Sequence, residues 1–106
     1  MFTRIVSMRL KPSAAAEFSQ TIEKKILPIL RKQKGFRDEI TLVVPGGMEA
    51  VGISFWDSRE QADAYNTGSY TEVVRELNKL LEGTPQVKTY DVANSTVHNI
   101  AARSAA

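Results

Sequence analysis

Residues 54–65 gather the chain's chemistry-bearing side chains most closely. Its only tryptophan, Trp56, ends a hydrophobic strand containing Val51, Ile53 and Phe55. Ser58 then opens a helix, and Gln61, three residues on, completes a capping box. A large ring is thereby held where a sheet edge meets a helix start, a common place for a pocket. Gly52 and Ser54 project on the Trp56 side of the strand and leave space beside the indole. A gap next to an aromatic wall suits a flat apolar ligand. The competing reading, a core tryptophan sealing the sheet against its helices, is the one that residue type alone favours.

Tyr65, Tyr70 and Tyr90 come next, each joining an apolar body to a hydroxyl that can donate to a ligand oxygen. Tyr65 and Tyr70 flank a break at Thr67-Gly68 and could form a pocket lip. Taken singly, each tyrosine is a boundary core residue, and only convergence on Trp56 makes a site. Trp56, Tyr65 and Tyr70 are therefore the candidate catalytic residues, and Gly52, Ser54 and Tyr90 the candidate substrate-binding residues.

Other chemistries find little support. His98 is the sole histidine, expected at the surface beyond the last strand, and one histidine makes no metal site. There are no cysteines, which excludes disulfides, thiolate ligands and a cysteine nucleophile. No nucleophile-elbow motif accompanies the serines. Asp38, Glu39, Asp57, Glu60 and Asp63 read as solvated charges, and Gly46-Gly47 as a hairpin turn, since no helix follows it to cradle a phosphate. No cofactor and no metal are expected.

The elements that must position these residues follow from periodicity. Phe2–Leu10 alternates as a strand, with Val6, Met8 and Leu10 on one face. Ser13 is placed to cap a long helix running to about Lys34, with Phe18, Ile22, Ile26, Ile29 and Leu30 inward, a kink at Pro28 and a stop at Gly35. Phe36–Val44 and Met48–Trp56 form a hairpin around Pro45-Gly46-Gly47. A short helix from Ser58 to about Asn66 precedes a second capping box, Ser69 with Glu72. That box opens a helix burying Val73, Val74, Leu77, Leu80 and Leu81. Gly83 and Pro85 end it, and Val87 to about Val97 is a final strand. Residues 100–106 are expected to fray.

The order β-α-β-β-α-β predicts a ferredoxin-like α+β fold: a four-stranded antiparallel sheet with helices on one face, in one domain over residues 1–99. Both sheet faces carry apolar residues, so a homodimer through the uncovered face is expected. At 106 residues, 42% hydrophobic and 25% charged, with net charge +2, the composition is that of a soluble globular domain. Its basic residues are spread out apart from Lys24-Lys25 and the group Arg31, Lys32 and Lys34, which leaves no nucleic-acid footprint. An RNA-binding version of the topology needs aromatics in the middle of strands one and three, where this chain has Arg4, Ile5, Val6 and Val51, Gly52, Ile53. Arg4, Arg9 and Lys11 interrupt the first apolar run, so neither a signal peptide nor a membrane span is expected, and a cytoplasmic location is. Asn94-Ser95-Thr96 is a chance match to a glycosylation acceptor.

From Phe2 to about His98 the chain resembles the antibiotic biosynthesis monooxygenase family of dimeric α+β barrels. The resemblance rests on the strand order, Gly35-Phe36, Phe55-Trp56-Asp57-Ser58 with Ala62 and Tyr65, and the closing Val87–Val92. It implies two sheets packed face to face, with a pocket between each sheet and its helices. It also implies a cofactor-independent monooxygenase-like activity on a small planar aromatic, quinol-like or polyketide-like. There the protein would hold the ring and stabilise an oxyanion. Trp56 matches the family's tryptophan at the end of the third strand, while Gly52 stands where an asparagine could assist. Tyr65 and Tyr70 are substitutes by location. A haem-degrading branch needs a histidine on the helix after the tryptophan, where this chain has Glu72, Val73, Val74 and Arg75, so that activity is not expected. The alternative is a non-catalytic dimeric barrel that binds a small hydrophobic ligand or serves an accessory or stress-related role, consistent with the lack of a buried histidine or carboxylate pair.

Overall fold

The sheet runs in the order β2-β3-β1-β4, with every neighbouring pair antiparallel. Its strands are β1 (Phe2–Arg9), β2 (Phe36–Val43), β3 (Glu49–Trp56) and β4 (Gln86–Asp91). The computed structural model describes residues 1–98 and Ile100. The expectation of fraying thus lies, apart from Ile100, outside the described residues. Helices α1 (Ala15–Thr21), α2 (Leu27–Arg31), α3 (Arg59–Thr67) and α4 (Tyr70–Leu77) cover one face of the sheet. This is the ferredoxin-like α+β arrangement that the element order predicts.

The core forms where the apolar stripes of the helices meet the inward side of the sheet. Phe18, Ile22, Ile26 and Leu30 from the first helical run and Val73, Leu77 and Leu80 from the second pack against Phe2, Met8, Ala50 and Trp56. The opposite sheet face carries Ile5, Val51, Ile53 and Phe55, with Ile40 and Leu42 about half exposed. No helix is long and apolar enough to cross a membrane among the described residues.

Several local expectations need correction. The first helix begins at Ala15 rather than at a Ser13 cap, because Ser13 takes a left-handed conformation (φ 64°) and Ala14 precedes the helix without a side-chain bond. Pro28 does not produce a simple kink. The turn before it, Ile22–Ile26, widens to a π-helix, and Leu27 N–H reaches back to the Ile22 carbonyl. That wider turn places Pro28 at the start of α2, where a missing N–H costs least. The helix then ends at Arg31, and Gly35 (φ 83°) makes the turn into β2. Gln61 fills the space where a Cβ at Gly35 would stand, so glycine is required there for packing as well as for conformation.

The Ser58–Gln61 cap forms, with Gln61 N–H donating to Ser58 Oγ at 3.3 Å. The second does not. Ser69 is already helical, and its hydroxyl accepts from Gln33 Nε2 at 3.1 Å. The last strand ends at Asp91 instead of near Val97: Asp91 pairs with Phe2, and beyond it Val92 N–H donates to the Met1 carbonyl at 3.0 Å.

Candidate functional site

The site begins with strand register. On the helix-facing side, Arg4 of β1, Ser54 of β3 and Glu39 of β2 lie directly opposite one another, forming one row across three strands. The next row is Val6, Gly52 and Thr41. Strands sit about 4.8 Å apart, so the outer members of each row are separated by about 10 Å at the backbone. Small Ser54 and Gly52 on the central strand thus become the floor of a trough. Ile22, Ile26 and Leu30 on one side and Val73, Val74 and Leu77 on the other roof it, and Tyr65 and Tyr70 join its wall.

The cavity so formed has a volume of about 50 Å³. That holds a few waters. A ring ligand enters only if the walls part, and unbranched Met8 beside Gly52 is the most adaptable of them. A methyl group built on Gly52 would stand 3.6 Å from Met8 Cε and 3.8 Å from Glu39 Oε2, so the gap above this glycine is about one methyl wide.

The aromatic side chains converge as a stack. Trp56 and Tyr65 lie with ring centres 4.9 Å apart and planes inclined by 29°, and Tyr65 meets Tyr70 at 5.7 Å. Trp56 is fully buried and does not line the cavity. The expectation of an indole wall is corrected accordingly: Tyr65 stands between the indole and the space, and Trp56 backs it. The indole N–H donates to Ser54 Oγ at 2.9 Å, which uses the hydroxyl as an acceptor and leaves its proton free. Phe36 packs edge-on against the indole at 5.6 Å.

Tyr65, Tyr70, Gly52 and Ser54 therefore share one cavity, and Trp56 supports it. Tyr90 does not join them. It pairs with Thr3 on the opposite sheet face, near Ile5, Ile53 and Phe55. His98 is on that face too, but it is not a free surface residue: its Nε2 lies 2.6 Å from Asp38 Oδ2, and its ring is 4.9 Å from Phe55. Two of the other acidic residues are the solvated charges expected, whereas Glu39 turns into the cavity. Asp57 pairs with Arg37, and Asp63 pairs with Arg59 at 3.7 Å, both at the exposed surface.

Arg4 and Glu39 lie outside the expected set of site residues, and Glu39 is not the solvated charge expected but a cavity-lining one. Arg4 is 2% exposed and lines the cavity. Its Nη2 donates to Asn66 Oδ1 at 2.9 Å, and its guanidinium lies 4.3 Å from the Tyr70 ring centre and 5.0 Å from that of Tyr65. The available signal was alternation: carrying the inward set Val6, Met8, Leu10 back by two residues reaches Arg4. Glu39 lies inward because its neighbours Ile40 and Leu42 belong to the open face, the reverse of the usual assignment of apolar residues to the helix side.

Burial governs the titration of these groups. It raises the Tyr65 and Tyr70 phenols above the ordinary tyrosine range, and the nearby Arg4 charge offsets only part of that. Burial also raises the Glu39 carboxyl, against the hydrogen bond it accepts from Thr41 Oγ1 at 2.6 Å. At neutral pH the two tyrosines hold their protons and can donate hydrogen bonds; neither is a base. Among the described residues, no cluster of three histidine, aspartate or glutamate side chains could hold a metal ion.

No protein-family model matches the sequence, and no curated protein matches it. Solved structures do match the fold. A monooxygenase from the gene ActVA-Orf6 of Streptomyces coelicolor, solved with the ligand Nanaomycin D, superposes with a TM-score of 0.74 at 17% identity, covering 89% of this chain and 88% of that one. A mutant of SnoaB, a cofactor-independent oxygenase from Streptomyces nogalater, gives 0.74 at 14% identity, over 90% and 95% of the two chains. A further antibiotic biosynthesis monooxygenase gives 0.68 at 19% identity, over 87% and 98%. These likenesses establish that the chain has the fold of the antibiotic biosynthesis monooxygenase structures.

Proposed function

We propose that this chain is a cofactor-independent, monooxygenase-like protein acting on a small planar aromatic of the quinol or polyketide type. The observation that carries the reading is the single cavity in which Tyr65 and Tyr70 stand over a floor of Gly52 and Ser54, with Trp56 stacked behind. Two of the structures sharing its fold are named as oxygenases, one of them holding Nanaomycin D. In the proposed reaction an electron-rich phenol or anthrone loses a proton to solvent water, and its anion passes an electron to dioxygen. Recombination forms the carbon–oxygen bond. Loss of water then leaves a carbonyl, with one oxygen atom in the product and the other in water, so that the substrate supplies every electron. Tyr65 and Tyr70, held protonated, donate hydrogen bonds to the substrate oxyanion.

The test is oxygen uptake with hydroquinones and an anthrone. Tyr65→Phe is expected to lower turnover about 100- to 1000-fold, as loss of an oxyanion donor does. Trp56→Phe is expected to lower it through displacement of Tyr65. Unchanged rates in both variants contradict the proposed site.

A second reading, a non-catalytic barrel that binds a small hydrophobic ligand, is favoured by one observation: burial holds both cavity phenols, Tyr65 and Tyr70, in their protonated form, so neither serves as a base. On either reading we infer a cytoplasmic homodimer. Its support is the apolar sheet face left open by the helices, where Ile40, Leu42 and Tyr90 are 48%, 51% and 48% exposed beside Ile5 and Ile53.

A further inference from the structure

An apolar ring leaves Arg4 unexplained. This residue occupies an inward position of β1 where alternation calls for an apolar side chain, and it is almost completely buried. Among the described residues no carboxylate lies within ion-pairing distance of it. Burying a guanidinium is costly unless its charge is met. The Asn66 amide oxygen and the faces of Tyr65 and Tyr70 meet part of that charge. A guanidinium carries five donors in a planar fork, and with Asn66 and the Tyr65 and Tyr70 hydroxyls as side-chain partners it still has others for the cavity it lines.

The polarity of the floor is one-sided. Arg4 stands at the β1 edge of its row and Glu39 at the β2 edge, with Ser54 between them. A ligand with a negative oxygen therefore fits in one orientation, with that oxygen at the Arg4 edge and its uncharged edge toward Glu39. We propose that the cavity selects planar aromatic ligands carrying one ionised oxygen, seated against the Arg4 guanidinium and turned away from Glu39. The inference rests on the cavity being the ligand site proposed above. It does not depend on oxygen chemistry.

The full chain is titrated calorimetrically at neutral pH with 2-hydroxy-1,4-naphthoquinone, which is ionised, and with 2-methyl-1,4-naphthoquinone, its neutral counterpart of nearly the same shape. 2-Naphthoate serves as the carboxylate arm. The ionised quinone is expected to bind at least about tenfold more tightly than the neutral one. Arg4→Met is expected to abolish that preference, and Arg4→Lys to restore part of it. Binding of 2-naphthoate as tight as that of the hydroxyquinone assigns a ring carboxylate as the preferred anion; tighter binding of the hydroxyquinone assigns a ring enolate.

Equal affinities for the ionised and neutral quinones, or a preference that survives in Arg4→Met, overturn the inference and leave the pocket standing. Failure of every ligand to bind overturns both. A readout on the unmodified protein covers the case in which the variant does not fold: the visible absorbance of the hydroxyquinone reports its ionisation. The bound enol is expected to titrate about one unit or more below the free one. Titration at or above the free value contradicts an adjacent cation.

Discussion

The guanidinium of Arg4 lies over the ring of Tyr70, 4.3 Å from its centre, joining the middle of β1 to the first residue of α4. The guanidinium meets the ring face, and it also hydrogen-bonds the Tyr70 hydroxyl. Tyr70→Leu is expected to cost about 1 kcal/mol in urea unfolding, within the usual range for a partly desolvated cation–π pair. Tyr70→Phe keeps the face and should cost much less. Equal losses in the two variants would place the energy in the hydroxyl.

Gly52→Ala separates the site from the fold. The added methyl group meets Met8 Cε at 3.6 Å and Glu39 Oε2 at 3.8 Å, both ordinary contacts. Replacing a strand glycine also removes unfolded-state freedom, so stability should rise by about 0.5 kcal/mol. The same methyl group occupies the floor of the cavity, and affinity for any ring ligand should fall. Unaltered affinity in a stable Gly52→Ala protein would mean that ligands bind elsewhere.

The Glu39 carboxyl gives a signed dependence on pH. Its folded pKa is raised by burial, so the folded state binds this proton more tightly than the unfolded chain does. The stability this group contributes is present at low pH and is lost as pH rises from the ordinary carboxyl range through the raised value. Thermal melts of the wild type and Glu39→Gln should therefore lie closest at about pH 4 and separate toward pH 7, with the glutamine variant gaining. A constant offset across that range contradicts the assignment.

The open sheet face predicts an oligomer. Leu42 is 51% exposed and pairs with Val51 beside Ile53 and Ile40. Light scattering is expected to give a dimer for the wild type and a monomer for Leu42→Lys, because a lysine there puts a charge into a face that a second copy would dry. A wild-type monomer would mean that this face stays open.

Much of this arrangement was legible in the sequence because the cues were local. Alternation put Gly52 and Ser54 on one side of β3, and the Thr67-Gly68 break put Tyr65 and Tyr70 on adjoining turns. What was illegible depended on partners distant in sequence. The side on which Tyr90 falls is set by its pairing with Thr3, and β4 is exposed along its whole length, so its own pattern marks no inner face. Trp56 has the residue type of either a wall or a core, and only the placement of Tyr65 in front of it decides. Arg4 carries no cue of its own, because a strand's periodicity is set by its apolar members, whereas the informative residue here is the charge among them.

Trp56 provides the decisive signal, since it is the chain's only tryptophan and stacks on a residue that lines the cavity. Its fluorescence would be titrated with an anthrone and a naphthoquinol in the wild type and in Gly52→Leu, whose side chain fills the floor. Saturable quenching at one site per chain in the wild type, lost in the variant, is the predicted result. Quenching that is absent, or that persists in Gly52→Leu, would show that no planar aromatic occupies the cavity.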